Sequence, residues 1–286
     1  VSGGTRRAGS GIAVVLAFAL GGELASGASA ATLPPDLVAR PLAAIKLCQE
    51  SPDVLFKNDA CTGTGSVVLR ISTEVANRGP GPLEFAPDES AEPNDCNGNG
   101  DPTDDVLVYQ RIFRDRNRDG IFERDTDTGF SKHLAGCRYY HAVHDHYHLD
   151  GYARFLLKRQ STGRTVARGR KISFCIIDSS PFDSSLPGAP ESAYYMETQC
   201  ESKDGITGTS VGWYDQYVWR LYGQSLDVTG LPKGRYCLIE KVDPRNQIVE
   251  RRDDNNVREA LVWINPANAP ASPQPPASVR VQQSPC

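Results

Sequence analysis

Short runs of β-branched and aromatic residues, each closed off by turn-forming residues, set the tightest limit on how this 286-residue chain can fold. Six runs stand out: Ser66 to Val75, Val106 to Phe113, Tyr152 to Lys158, Lys171 to Ile177, Arg235 to Val242 and Val257 to Ile264. Val, Ile, Phe and Tyr fit a pleated, half-buried surface, so runs of this length predict strands. Between them lie Asn77-Arg78-Gly79-Pro80-Gly81, Ser161-Thr162-Gly163, Pro232-Lys233-Gly234 and Asp253-Asp254-Asn255-Asn256, all residues that favour chain reversal. No segment carries a long, capped 3.6-residue periodicity. The expected fold is therefore all-β: an antiparallel β-sandwich-like core with long irregular disulfide-bearing loops and few short helices.

With 20 Pro, 26 Gly and 39% hydrophobic residues, one globular domain fits better than two separate cores. Arg6 and Arg7 precede the apolar run Gly11 to Gly22, and Ala28-Ser29-Ala30 follows, which predicts a secretory signal peptide over residues 1–30. That run falls short of the roughly 20 apolar residues of a membrane span, and no later stretch reaches it. A secreted protein, off the membrane once the signal is cleaved, is the expectation. The folded domain is placed at 31–265. A Pro/Ala-rich tail, 266–286, follows, too poor in core-forming residues to fold unless Cys286 ties it back. A net charge of -4 without a basic patch argues against nucleic acid as a partner. All eight cysteines lie beyond the signal, and an even number in an exported chain predicts disulfides. Proximity in the chain nominates Cys48 with Cys61, Cys96 with Cys137, and Cys175 with Cys200. No CxxC occurs, which excludes zinc-ribbon and thioredoxin-like chemistry.

Four of the five histidines crowd into His141-Ala142-Val143-His144-Asp145-His146-Tyr147-His148. On a strand, the spacing of His144, His146 and His148 aims three imidazoles at one face, whereas His141 would point elsewhere and is read as a supporting or structural residue. Three convergent imidazoles suit copper, zinc, nickel or iron, not a hard ion that prefers oxygen. The competing view is a surface histidine tract, but this run is embedded in aromatic sequence, with Tyr139-Tyr140 before it and Tyr152 to Phe155 after.

The run has the form H-x-x-H-x-H-x-H and resembles the copper-binding stretch of the lysyl oxidase family. Two further segments follow in that family's order. Gly169-Arg170-Lys171-Ile172-Ser173-Phe174-Cys175 resembles its G-x-K-x-S-F-C, and Tyr214-Asp215-Gln216-Tyr217 resembles its Y-D-x-Y. The likeness continues through Leu226-Asp227-Val228-Thr229, Lys233-Gly234-Arg235-Tyr236 and Asp254-Asn255-Asn256-Val257, covering residues 64 to 264 and weakest at the start. The resemblance implies copper on His144, His146 and His148, and a lysine tyrosylquinone cofactor made by crosslinking Lys171 to Tyr217. It implies oxidation of a primary amine or a lysine-bearing protein by O2 to an aldehyde, with hydrogen peroxide and ammonia released. Asp215 is the candidate general base, with a hydrogen-bonding role as its alternative. Val143 stands where the animal pattern has a cysteine, and an aspartate-rich insertion precedes the run.

Within that insertion, Asp115-Arg116-Asn117-Arg118-Asp119-Gly120 has the D-x-N-x-D-G start of a calcium loop, with Asp125 at a later position. Thr126 falls where such a loop carries its acidic twelfth residue, so an ordinary Asx-rich turn competes with calcium. Two other functions compete with the amine oxidase. One is a non-catalytic exported copper-binding β-domain that binds a partner protein. The other is a zinc hydrolase, which leaves Lys171 and Tyr217 without a role.

Overall fold

The computed structural model of the protein describes residues 1, 3–4, 31–51, 61, 63, 65–88, 95, 98–271 and 276–286. The expected signal peptide therefore lies almost wholly outside the described residues, as does Cys96. Among the described residues no helix is long and apolar enough to cross a membrane.

Three antiparallel sheets share one core. A six-stranded sheet has the order β12 (Thr207–Thr209), β5 (Leu83–Pro87), β6 (Asp105–Arg114), β7 (Phe130–His141), β8 (His146–Leu149), with β1 (Thr32–Leu33) added to β6. A five-stranded sheet runs β10 (Thr165–Arg168), β9 (Ala153–Arg159), β15 (Gly234–Val242), β16 (Val257–Ile264), β18 (Arg280–Gln282). A seven-stranded sheet runs β11 (Ser180–Pro181), β13 (Trp213–Tyr217), β4 (Ser66–Asn77), β3 (Ala43–Glu50), β17 (Ala277–Ser278). Strands β14 (Ser225–Asp227) and β2 (Leu37–Ala39) also pair with β4. The only helical turns among the described residues are 3-10 turns at Pro102–Asp104, Glu197–Gln199 and Pro266–Asn268.

Strand β4 is the spine of the molecule. One edge pairs with β3 and β2, and the other with β14 and β13. Paired on both edges and buried on both faces, it reads as a nearly continuous buried run instead of an alternating one. Leu69, Ile71 and Val75 from β4 meet Phe155 and Leu157 of β9, Leu238 of β15 and Phe85 of β5 in one cluster. Each such side chain contributes about 1.5–3 kcal/mol when fully buried. At the end of β4 the predicted turn forms around Asn77. Its side chain accepts from the amides of Asp36 (3.1 Å) and Gly79 (2.9 Å) and donates to the carbonyls of Gly81 and Thr209 (3.0 Å each). Gly81 is required here, since a Cβ would lie 2.0 Å from the Leu33 carbonyl oxygen.

Five of the six predicted strands form, as β4, β6, β9, β15 and β16. Lys171 to Ile177 does not. It is an irregular segment held by single contacts: Lys171 N donates to Gly223 O (3.2 Å), and Phe174 exchanges amide bonds with Leu149 (2.8 and 3.0 Å). Its residues Ser173, Phe174, Cys175 and Ile176 are all buried, a pattern no one-faced strand gives. The segment threads between sheets, which is why its apolar run imitated a strand.

Disulfides join Cys48 to Cys61 and Cys175 to Cys200, as proximity suggested, and a third joins Cys237 to Cys286. Cys137 is disulfide-bonded as well, while its nominated partner Cys96 lies outside the described residues. The described part of the Pro/Ala-rich tail is ordered against the body, contrary to its composition. Ala277–Ser278 pairs with β3 and Arg280–Gln282 with β16. Open sheet edges offer backbone partners to any sequence, and the Cys237–Cys286 bridge holds the segment there.

Candidate metal centre and active site

The histidines occupy a hairpin, not a single strand. Strand β7 ends at His141 and β8 begins at His146, with the two residues directly opposite each other. Between them the His141 carbonyl accepts the amides of His144 and Asp145 (2.9 Å each), and Asp145 takes a left-handed φ of 60° that closes the turn. Aspartate tolerates that conformation better than most side chains. Opposed residues of an antiparallel pair share a face, so Tyr139, His141, His146 and His148 project together, and the turn folds His144 back over them. His141 accordingly sits inside the cluster instead of pointing away. Nitrogens of His141, His144 and His148 lie within 4.8 Å of one another. Ring centroids of His141 are 4.6 Å from His144 and 4.7 Å from His148. His146 joins through its Nε2, 3.0 Å from Nε2 of His148.

These residues fit a transition metal on three counts. Two imidazole nitrogens bound to one ion at about 2.0–2.1 Å stand roughly 3 Å apart, as the His146 and His148 nitrogens do. His141 Nδ1 is buried without a hydrogen-bond partner. The imidazoles of His141 and His148 are also kept neutral, as ligation requires. Burial, reinforced by Lys171, pulls His141 down to about 4 and holds His148 well below its ordinary value. Behind the cluster, Ser173 Oγ lies 3.2 Å from His148 Nδ1 and 2.7 Å from the Tyr139 hydroxyl. A proton on Nδ1 bonded to Ser173 leaves Nε2 bare and facing inward.

Lys171 and Tyr217 meet although their segments are far apart in sequence. On β13 the alternation buries Trp213, Asp215 and Tyr217 on one face, and pairing with β4 seats Tyr217 opposite Thr73. The Tyr217 hydroxyl donates to the Cys175 carbonyl. Lys171 Nζ lies 5.1 Å from the centroid of the Tyr217 ring and 5.1 Å from that of Phe174. The Phe174 ring packs edge-on against Tyr217 at 4.7 Å. Burial lowers Lys171 to about 7, with Asp215 opposing the shift. Burial pushes the Asp215 carboxyl well above the usual carboxylate range, against the pull of the Ile177 amide and of Lys171. Burial, then Asp215, likewise raises the Tyr217 phenol.

A cavity of about 290 Å³ opens onto this assembly, lined by His144, His146, Asp215 and Tyr217 together with Glu197 and Leu221. A smaller one of about 160 Å³, on the side of Lys171 and His141, is bordered by Tyr139 and Tyr222. The histidine run, Lys171, Asp215 and Tyr217 are thus gathered in one place. Sequence reasoning passed over Ser173, quoted within a motif but given no role, and Glu197, whose Met196-Glu197-Thr198-Gln199-Cys200 context carries no signal.

The aspartate-rich insertion forms a separate loop. Asp115 accepts the amides of Asp119 (3.1 Å) and Gly120 (2.9 Å), and Asn117 donates to Asp119 and Glu123 (2.9 Å each). Asp125 is exposed and stays out of this group. Asp115 and Asp127 are both buried, and Asp127 accepts the amides of Arg116 (2.8 Å) and Glu123 (2.9 Å).

Comparison with known proteins gives the same direction. A family model described as lysyl oxidase matches residues 121–268, more than half of the chain. Protein-lysine 6-oxidase of Rattus norvegicus is 33% identical over 119 residues, which cover 41% of this chain and 26% of the rat protein. That of Sus scrofa is 33% identical over 119 residues, 43% of its length. Lysyl oxidase homolog 1 of Homo sapiens is 34% identical over 119 residues, 41% of this chain and 19% of its own. The chain thus matches less than half the length of each of these relatives. With the histidine hairpin, the Lys171 segment and the Tyr217 strand brought together within the matched region, this chain belongs to the lysyl oxidase family.

Proposed function

We propose that this protein is a secreted copper-dependent amine oxidase acting on primary amines, peptidyl lysine among them, through a lysine tyrosylquinone built from Lys171 and Tyr217. The observation that carries the reading is the placement of the Lys171 amine 5.1 Å from the Tyr217 ring, beside four gathered imidazoles. His144, His146 and His148 would hold copper, with His141 packed against them. When bound, copper and O2 supply the oxidation of the Tyr217 ring and, through the resulting cofactor, conversion of amine to aldehyde with release of ammonia and hydrogen peroxide.

The chain's own groups prepare that chemistry. Lys171 must attack as a free amine, and burial gives it one near neutral pH. The Phe174 ring and the Cys175 carbonyl fix the Tyr217 ring, so the reacting partners need little reorientation. Asp215 lines the cavity beside Tyr217 with a raised affinity for protons, the property required of a base that accepts a substrate α-proton. The disulfides fit an oxidising, extracytoplasmic location.

The test is peptide mass spectrometry of protein produced with copper in an oxidising compartment. A Lys171–Tyr217 crosslink in the wild type and its absence in Lys171→Ala are expected, together with amine-dependent peroxide release. Copper-loaded protein without the crosslink would refute the quinone and favour a non-catalytic copper-binding domain.

A further inference from the structure

The cavity beside Tyr217 holds a second carboxylate, Glu197, quite unlike Asp215. The Asp215 side chain is 2% exposed on the floor, whereas Glu197 is 69% exposed at the mouth. Its backbone is nonetheless fixed. The Cys200 amide donates to the Glu197 carbonyl (2.9 Å), and the Met196 amide donates to the Gln199 side chain (2.7 Å). Cys200 is bonded to Cys175, whose carbonyl receives the Tyr217 hydroxyl. The Cys200 carbonyl in turn accepts the amide of Tyr147, between His146 and His148. The segment bearing Glu197 is therefore clamped to both halves of the site while its side chain, largely exposed, stands in the opening.

Orientation of His146 does not explain that side chain. Glu197 Oε1 is 3.8 Å from His146 Nδ1, beyond hydrogen-bond range. The cavity lining also includes the aliphatic side chains Leu221 and Ile177. A carboxylate sharing a cavity with aliphatic side chains suits an ammonium carried on an alkyl chain. We infer that Glu197 is the specificity residue that captures the ammonium head of an unbranched alkyl amine at the cavity mouth. Methylene groups lie against Leu221 as the head moves inward toward Tyr217. This rests on the amine-oxidase reading for its consequence in turnover, though not for binding.

The experiment compares wild type with Glu197→Gln, using 1,5-diaminopentane as probe and the exposed neighbour Glu201→Gln as control. Calorimetry on copper-free protein should show Glu197→Gln weakening diamine binding roughly three- to tenfold, the range for a charge pair open to solvent on one side. In copper-loaded enzyme KM should rise by a similar factor with kcat little changed, Glu197→Asp recovering part of the loss. Added salt should raise the wild-type KM more than that of Glu197→Gln. Unchanged binding and KM in Glu197→Gln would overturn the inference. So would a fall in copper content with KM unaltered, which would make Glu197 a positioning residue for His146. If wild type releases no peroxide from any amine, the oxidase reading fails separately, and the calorimetric comparison still decides the role of Glu197.

Discussion

Ser173 stands between Tyr139 and His148, with its hydroxyl 3.2 Å from His148 Nδ1, while His148 Nε2 faces His146. Outer partners of this kind are typically worth about 10–100-fold in metal affinity. Ser173→Ala is expected to weaken copper binding by about that factor in competition with a chelator, while circular dichroism stays that of the wild type. Lys171 supplies a pH prediction. Its folded pKa is lowered from 10.5 to about 7, so it is an ammonium below that value and a nucleophilic amine above it. Crosslink formation after copper addition should therefore accelerate as pH rises through about 7 and level off beyond; a rate independent of pH from 6 to 8 would contradict this. His146→Ala should abolish copper retention and His141→Ala should leave it measurable, read by metal analysis after dialysis. The gathering of Lys171, Tyr217 and the histidines in one place was legible in sequence because their motifs follow in the order of the family's. Ser173 and Glu197 were not, since Ser173 takes its meaning from His148 and Glu197 from the cavity beside Tyr217, both delivered by other segments.

Elements were legible to the extent that their residues alternate or lie in long apolar runs. Strands β6, β9, β15 and β16 appeared within a residue or two of their predicted limits. The Lys171 to Ile177 segment misled because apolar composition cannot distinguish a strand from a chain threading between sheets. His141 misled because a hairpin turn places it opposite His146, a relation that counting along one strand cannot give. The loop after Tyr217 depends on a buried pair. Arg70 bonds Glu50 at 2.8 Å and donates to the carbonyls of Trp219 (3.0 Å) and Leu221 (2.8 Å). Removing one partner leaves a buried charge, so Glu50→Gln should cost about 3–5 kcal/mol in denaturant titrations. An effect under about 1 kcal/mol would show that Arg70 finds solvent.

At the scale of the whole molecule, three sheets converge on a core that no single motif announces. Composition gave the class, but not the number of sheets, because the choice of neighbours is made by strands such as β4 that pair along both edges. The tail shows the same limit: Ala277–Ser278 and Arg280–Gln282 are held through backbone pairing and a bridge, with Ala277 and Val279 packed against the core. Replacing both Cys237 and Cys286 by Ser opens a loop of sequence separation 49 and should destabilise the protein by about 2–4 kcal/mol, with protease cutting first in the tail. The site is likewise divided. Its histidines are neighbours on one hairpin, and a chain with only that hairpin formed already presents them to a metal. Lys171 and Tyr217 meet only after β13 has docked on β4 and the threading segment has been drawn in beside it. On the proposed chemistry, a misfolded chain could load copper yet never acquire its crosslink, so maturation itself serves as a proofreading step that leaves a permanent covalent mark on molecules that have folded correctly.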